Sequence, residues 1–244
     1  MRSEPRFRIV ANRKVAARTY ILELEGDTAG LTNPGQFVNV EVPGFFLRRP
    51  FSVCAWGPGE LTLLYKTFGP GTETLTGLPR GQEVNVLSGL GNGFYLPRGV
   101  EEPLVVGGGV GIAPMLSLTQ ALVGAGTRPH VILGFGSKDE VALVQEIGAL
   151  GVPVTVTTVD GSAGVKGLVT DAMGSLTWDY VYACGPTPML RAVFGRAGTE
   201  GQYSMEERMA CGFGACMGCV METAGGVVRV CKEGPVFESG ELLW

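Results

Sequence analysis

Histidine occurs once in this 244-residue chain, at His130, and charged side chains make up only 17% of it. A single imidazole excludes a Rieske centre, which needs two, and it leaves little equipment for general acid–base catalysis. The formal charge of -4 supplies no positive field for nucleic acid or for an anionic membrane surface. Long uninterrupted apolar runs are also missing. The most apolar stretch, PLVVGGGVGIAPMLSLTQALV, is broken by four glycines in five positions and then by a proline, which favours strand, tight turn and helix over a membrane span. The opening MRSEPRFRIV has no apolar segment behind its arginines, so no secretory signal is expected. No repeat at solenoid periods is visible. These absences point to a globular cytoplasmic protein in which thiols stay reduced. The six cysteines are therefore expected to pack or to bind metal rather than to form disulfides.

Glycine and proline are plentiful, 39 and 15 residues, and they punctuate apolar runs instead of forming a low-complexity tract. Two rhythms lie between the punctuation. From residue 6 to about 98, short alternating runs (FRIV, TYILEL, QFVNVEV, PFSVCAW, ELTLLYKTF, EVNVL) predict six strands of a small antiparallel β-barrel. After Pro97 the pattern becomes strand, turn, helix: PLVVGGG before PMLSLTQALVGAG, HVILGFG before DEVALVQEIGALG, then VPVTVTTVD, and DYVYACG before PTPMLRAVFGRAG. That alternation predicts a parallel sheet covered by helices. Beyond about residue 200 regular runs shorten and cysteines take over. The fold class is multidomain β and α/β, with expected units 1–98, 99–200 and 201–244. His130 precedes a strand and is expected to be structural.

Four of the six cysteines fall in the last unit. Cys211, Cys216 and Cys219 follow the spacing C-x4-C-x2-C, with Cys231 after eleven more residues, the plant-type pattern for a 2Fe-2S cluster. Each of two irons takes two thiolates. Gly212, Gly214 and Gly218 allow the backbone to wrap with its amides toward sulfur. Phe213, Ala215 and Met217 would limit water. The competing reading is a structural zinc site, whose usual form is two separated C-x-x-C pairs; only Cys216 and Cys219 make one here.

The second constellation is VVGGGVGIAPML, where a strand runs into glycines and a helix expected near Ile112. Gly108, Gly109 and Gly111 could turn free amides toward a pyrophosphate, although Pro114 stands where the Rossmann fingerprint wants its third glycine. YACGPTPML is expected at the same edge of the sheet, bringing Cys184, Gly185 and Pro186 to the nucleotide. Cys184 is open to two readings, packing beside a nicotinamide or filling a small apolar site. Cys54 reads as core. In the barrel, RRPFSV and the GPGT of LLYKTFGPGTETL offer an arginine fork at Arg49, with Ser52, and a turn whose amides and hydroxyl suit a diphosphate.

Taken in order, RRPFS, GPGT, GGGVGIAP, CGPTPML and SMEERMACGFGACMGC resemble the electron-transfer (K) subunits of class 1B dihydroorotate dehydrogenases, in the ferredoxin reductase superfamily. The resemblance spans essentially the whole chain, and its most specific part is MEERMACGFGACMGC with Cys231 and EGPVF. It implies a FAD-binding barrel (1–98), an NAD-binding α/β domain (99–200) and a 2Fe-2S domain (201–244). The FAD contacts it implies are Arg49, Pro50, Phe51, Ser52, Leu64, Tyr65, Lys66, Gly71 and Thr72. Its cluster ligands are Cys211, Cys216, Cys219 and Cys231. Phe51 and Lys66 depart from the aliphatic residue and the arginine common at those places.

The implied role is an oxidoreductase flavoprotein of pyrimidine biosynthesis, an electron-transport subunit in a heterotetramer with two FMN-containing catalytic subunits. Those partners oxidise dihydroorotate, and electrons pass through 2Fe-2S and FAD to NAD+. A flavin suits that position because it can exchange electrons singly with the cluster and pairwise with a nicotinamide. NAD is expected over NADP, from Asp139 and Glu140 beside Lys138 in GFGSKDE. Two alternatives remain open at this stage: another flavin and iron–sulfur reductase subunit, and a non-enzymatic redox sensor.

Overall fold

The computed structural model describes residues 6–174 and 176–244; the first five residues of the MRSEPRFRIV stretch, where no secretory signal is expected, lie outside them. Six strands, β1 (Arg6–Ala16), β2 (Thr19–Glu25), β3 (Phe37–Val40), β4 (Arg49–Gly57), β5 (Glu60–Lys66) and β6 (Glu83–Leu90), close an antiparallel barrel in the order β1-β2-β5-β4-β3-β6. Alternation along each strand sends Phe7, Ile9, Leu22, Leu63 and Val86 into a shared interior, all fully buried. A short helix, α1 (Pro70–Thr76), lies between β5 and β6. The GPGT expected as a turn is its first turn. Pro70 is preorganised for a helix start, and the Thr72 hydroxyl accepts the amides of Phe68 and Gly69 at 2.9 and 3.3 Å.

The chain then enters a seven-stranded sheet. β7 (Leu104–Gly108) is followed by a single 3-10 turn, Gly109–Ile112, and by α2 (Ala113–Gly124). Next come β8 (His130–Phe135), α3 (Val144–Gly148), β9 (Val154–Thr158), β10 (Val165–Lys166), α4 (Val169–Met173), β11 (Val181–Cys184), α5 (Thr187–Ala197) and β12 (Gly201–Ser204). After the hairpin β13 (Val220–Thr223) and β14 (Gly226–Arg229), β15 (Val236–Glu238) completes the sheet in the order β10-β9-β8-β7-β11-β12-β15. The helix expected over DEVALVQEIGALG is shorter than its periodicity suggests, because Leu143 adopts a left-handed φ of 62° and buries its side chain there. A core cluster joins Ile21, Cys54 and Leu64 of the barrel to Ile112, Met115 and Leu118, so α2 is wedged between barrel and sheet. Among the described residues no helix is long and apolar enough to cross a membrane.

The division expected at residue 200 falls between α5 and β12, yet β12 runs parallel to β11 and β15 pairs antiparallel with β12. The cysteine-bearing segment is thus a long excursion between two paired strands of the α/β sheet. An open edge at β11 would present unpaired amides and carbonyls, and the tail covers it. Asn92, just after β6, fastens the return. Its side-chain amide donates to the carbonyls of Glu233 (3.1 Å) and Val236 (2.7 Å), and its Oδ1 accepts the Val236 amide at 3.1 Å.

Asn92→Ala is expected to destabilise the protein by about 1–3 kcal/mol, since it removes these bonds and strands partly buried backbone groups. The urea unfolding midpoint reads this directly, and a midpoint equal to that of the parent would contradict the fastening role.

Candidate cofactor sites and cluster loop

A cleft of about 570 Å³ separates barrel from sheet. Pro50, Phe51, Ser52 and Leu64 line it from β4 and β5, Val110 and Cys184 from the sheet edge, and Ser204 through Met209 from the segment that leaves β12. Five residues expected at a cofactor therefore share one cavity: Pro50, Phe51, Ser52, Leu64 and Cys184. Strand alternation separates the trio Leu64, Tyr65 and Lys66. Leu64 faces the cleft, whereas the Tyr65 ring is turned into the barrel core, its hydroxyl donating to Asn12 Oδ1 at 2.9 Å. Burial, followed by the neighbouring Glu206 carboxylate, pushes the Cys184 thiol up to about 12. It meets the cleft as a small neutral group.

Arg49, the first residue of β4, packs its guanidinium over Gly71 in the first turn of α1, where any Cβ would collide with it. The same guanidinium lies 4.9 Å from the Phe45 ring centroid. Arg49 and the start of α1, both expected at the FAD diphosphate, thus lie side by side. The Thr72 hydroxyl, read above as a phosphate donor, is instead occupied by the local capping bonds.

Lys66, expected at the flavin, and Glu140, expected to favour NAD, meet each other. Lys66 Nζ lies 2.8 Å from Glu140 Oε1, joining the barrel to the loop after β8. Glu140 also accepts the Gly136 amide at 3.3 Å, so its carboxylate is engaged within the protein.

The second cleft, about 380 Å³, opens at the carboxyl ends of β7, β8 and β9 and is closed by the starts of α4 and α5. The sheet order changes direction at β7, with β8 on one side and β11 on the other, the position where open α/β sheets bind ligands. Gly108, Gly109 and Pro186 line this cleft. Gly111 does not, and its role is steric: a Cβ there would sit 2.5 Å from the Cys184 carbonyl oxygen and 2.6 Å from Gly185 Cα. The missing side chain lets the loops after β7 and β11 touch. His130 pairs through Nε2 with Thr155 Oγ1 at 2.9 Å, a structural contact between β8 and β9.

In the tail the four thiols form two pairs. On the solvent side the Cys216 amide donates to Cys211 Sγ at 3.5 Å. In the interior, where both residues are buried, the Cys231 amide donates to Cys219 Sγ at 3.4 Å. Burial pushes the Cys211 thiol up, but the amides of Phe213, Cys216 and Ala215 outweigh it and bring the group down to about 6; the Ala215 amide lies 3.3 Å from its sulfur. Burial and the Cys219 partner push Cys231 the other way, to about 12. Gly212 and Gly214 supply the positive φ values, 73° and 86°, that wrap this loop. Among the described residues no group of three or more His, Cys, Asp or Glu side chains could hold a single metal ion. The loop is pinned from outside: Asn39 of β3 donates to the Cys211 carbonyl at 3.3 Å, and Arg229 of β14 to that of Gly214 at 2.8 Å.

Sequence reasoning missed two groups of lining residues. Glu206 and Glu207 border the first cleft, signalled only by the acidic pair directly behind β12. Thr157, Val159 and Leu168 line the second, inside a strand and a loop that carry no recognisable motif.

Two family models match the chain: the iron-sulfur cluster binding domain of dihydroorotate dehydrogenase B over residues 206–243, and the oxidoreductase NAD-binding domain over residues 105–194. The electron transfer subunit of dihydroorotate dehydrogenase B (NAD(+)) from Bacillus mycoides (strain KBAB4) is 42% identical over 252 aligned residues, covering 96% of this chain and 97% of that one. The corresponding protein of Bacillus cereus (strain B4264) matches equally. Among solved structures, the NADH-dependent reduced ferredoxin-NADP oxidoreductase superposes with a TM-score of 0.89 at 31% identity, over 98% of this chain and 90% of that one. Phthalate dioxygenase reductase shares the fold at a TM-score of 0.64 and 24% identity, over 79% and 64%.

Lys66 holds the Glu140 carboxylate below its ordinary value of 4.5, assisted by the Gly136 amide. A depressed folded-state value stabilises above pH 4.5, and that stability is lost as pH falls through the lower folded-state value. Glu140→Gln should therefore cost about 0.5–1 kcal/mol near pH 7 and progressively less under acid. Denaturant titrations at both pH values measure the difference; a cost independent of pH would count against the ion pair as its source.

Proposed function

The chain belongs to the family of electron transfer subunits of dihydroorotate dehydrogenase B (NAD(+)), and on that footing we propose how its residues serve the activity. It is an oxidoreductase component that works with a catalytic partner subunit and NAD+. When bound, FAD and the 2Fe-2S cluster supply the redox chemistry, pairwise toward a nicotinamide and singly toward the partner. Everything else is positioning by this chain.

Cys211 and Cys216 would hold one iron, and Cys219 and Cys231 the other, with the Ala215 and Cys216 amides aimed at the Cys211 sulfur. Pro50, Phe51, Ser52 and Leu64 would form the flavin-facing wall of the barrel, while Arg49 and the Gly71 backbone take the diphosphate. Backbone alone would serve at Tyr65, whose ring is in the core, and Lys66 would steady the domain junction. Gly108, Gly109, Cys184, Gly185 and Pro186 would bring the dinucleotide to the first cleft from the sheet side. One observation carries this reading: the segment Ser204 to Met209 lines the cleft and continues after a single residue into Cys211. Flavin wall and cluster loop are one stretch of chain.

The finer reading is a heterotetramer, two copies of this chain with two FMN-containing subunits that oxidise dihydroorotate, in the cytoplasm. No constellation here is equipped to take a proton and a hydride from an organic acid, so that step falls to the partner. Met217, 53% exposed beside Cys216, with Phe213 at 36%, marks the docking face, where apolar cover would exclude water from the transfer path.

Anaerobic purification with and without the FMN subunit tests the assignment. Iron, FAD and dihydroorotate-dependent NADH formation are expected in the assembly, and a zinc-containing or flavin-free preparation would overturn it. Phe213→Asp is expected to weaken copurification of the FMN subunit while iron and flavin contents hold; undiminished assembly would remove this face from consideration.

A further inference from the structure

NAD+ accepts a hydride, which is two electrons and one proton, whereas a cluster passes electrons singly and brings no proton with them. For each NADH formed, one proton must therefore enter the cleft between barrel and sheet. The residues lining that cleft leave a short choice. Among them only Cys184, Glu206, Glu207 and Arg208 carry titratable side chains. Arginine stays protonated at every relevant pH, and the Cys184 thiol, pushed up to about 12, holds its proton too firmly. The single histidine is engaged with Thr155, between β8 and β9. Only the two carboxyls are left.

Glu206 is the better placed of the two. It follows directly on Met205, whose amide donates to the Pro235 carbonyl at 2.8 Å, so its backbone is tied to the sheet edge. Its carboxylate is near enough to Cys184 to raise that thiol, and Cys184 ends β11, the strand beside β7 at the switch point of the sheet. Glu206 is exposed to water in the open cleft. Protein nevertheless crowds it closely enough for burial to hold its carboxyl above the ordinary 4.5. A carboxyl in that position keeps its proton to higher pH, and a cofactor that displaced water from the cleft would push it further the same way. The charged and titratable groups that share the cleft with it are Glu207 and Arg208 on its own segment and Cys184 on β11; no lysine or histidine lines it.

We propose that the Glu206 carboxyl donates the proton that joins two cluster-derived electrons to make the hydride accepted by NAD+. The proton leaves a Glu206 carboxyl oxygen, the two electrons come from the cluster, NAD+ becomes NADH, and water at the mouth of the cleft returns a proton to the carboxylate. This rests on the assignment of FAD, cluster and NAD+ to the chain, and the experiment separates the two. Flavin bleaching in the assembled enzyme is followed in single turnover with dihydroorotate, whose electrons arrive through the cluster, and with NADH, which brings its own proton in the hydride. Glu206→Gln should slow bleaching by dihydroorotate about 100-fold, the usual worth of a placed general acid, and bleaching by NADH no more than about twofold. Glu206→Asp should recover part of the loss. In the parent the dihydroorotate rate should fall as pH rises through the raised Glu206 value, and Glu206→Gln should lack that limb. Infrared titration of the loaded, oxidised enzyme gives a readout apart from turnover: a carboxylic acid carbonyl band lost only above pH 4.5 in the parent and missing from Glu206→Gln. The ratio of the two bleaching rates does not depend on flavin content, so a partly loaded variant still decides. Equal slowing with both donors, or parent-like bleaching by dihydroorotate in Glu206→Gln, overturns the proposal and leaves the cofactor assignment intact. A parent bleached by neither donor overturns both.

Discussion

A loop that must present four thiols cannot be held by its own secondary structure, and the architecture depends on how the barrel grips it. Two side-chain amides do this. Asn39 reaches from β3 to the Cys211 carbonyl, and Asn92, just beyond β6, spans the backbone from Glu233 to Val236. Both address backbone groups, so they set the position of the loop and leave its sulfur atoms free. Arg229 adds a third restraint from within the tail. It is itself held by Glu233, whose carboxyl is drawn down to about 2, chiefly by its hydrogen bond to that guanidinium. The grip comes from the strands whose neighbours line the first cleft, and this ties the distance between the two sites to the rigidity of the barrel.

The two sulfur pairs sit in different surroundings. At Cys211 the converging amides favour the charged form, which is what a metal ligand requires. Cys231 is pushed up by burial and by its neighbour Cys219, so its charge is expensive until a cation offsets it. Cys211, on the solvent side, is drawn toward the thiolate, whereas Cys231, in the interior, is held toward the thiol.

Large features were legible in the sequence because they follow from periodicity and spacing. Six alternating runs became the barrel strands, the strand-helix rhythm became the parallel sheet, and the cysteine spacing matched two thiol pairs. What escaped depended on tertiary placement. Nothing local says that Tyr65 turns inward while Leu64 turns out, since that depends on which face of β5 meets the core. The Lys66–Glu140 pair joins residues far apart in the chain, and each alone looked like a ligand contact. The tail strands β12 and β15 were too short to announce themselves, being four and three residues long.

Those two short strands alter what kind of object the cluster segment is. Because it leaves from one strand of the sheet and returns to the neighbouring one, it is topologically a closed handle and not a free appendage. Its excursions are bounded at both ends by ladder hydrogen bonds, and widening the handle would carry only a slowly growing entropic cost. Evolution could therefore lengthen or trim the stretch between them without rebuilding the nucleotide layer, whereas cutting the chain before the return strand would leave an adhesive edge and a tether with one end loose.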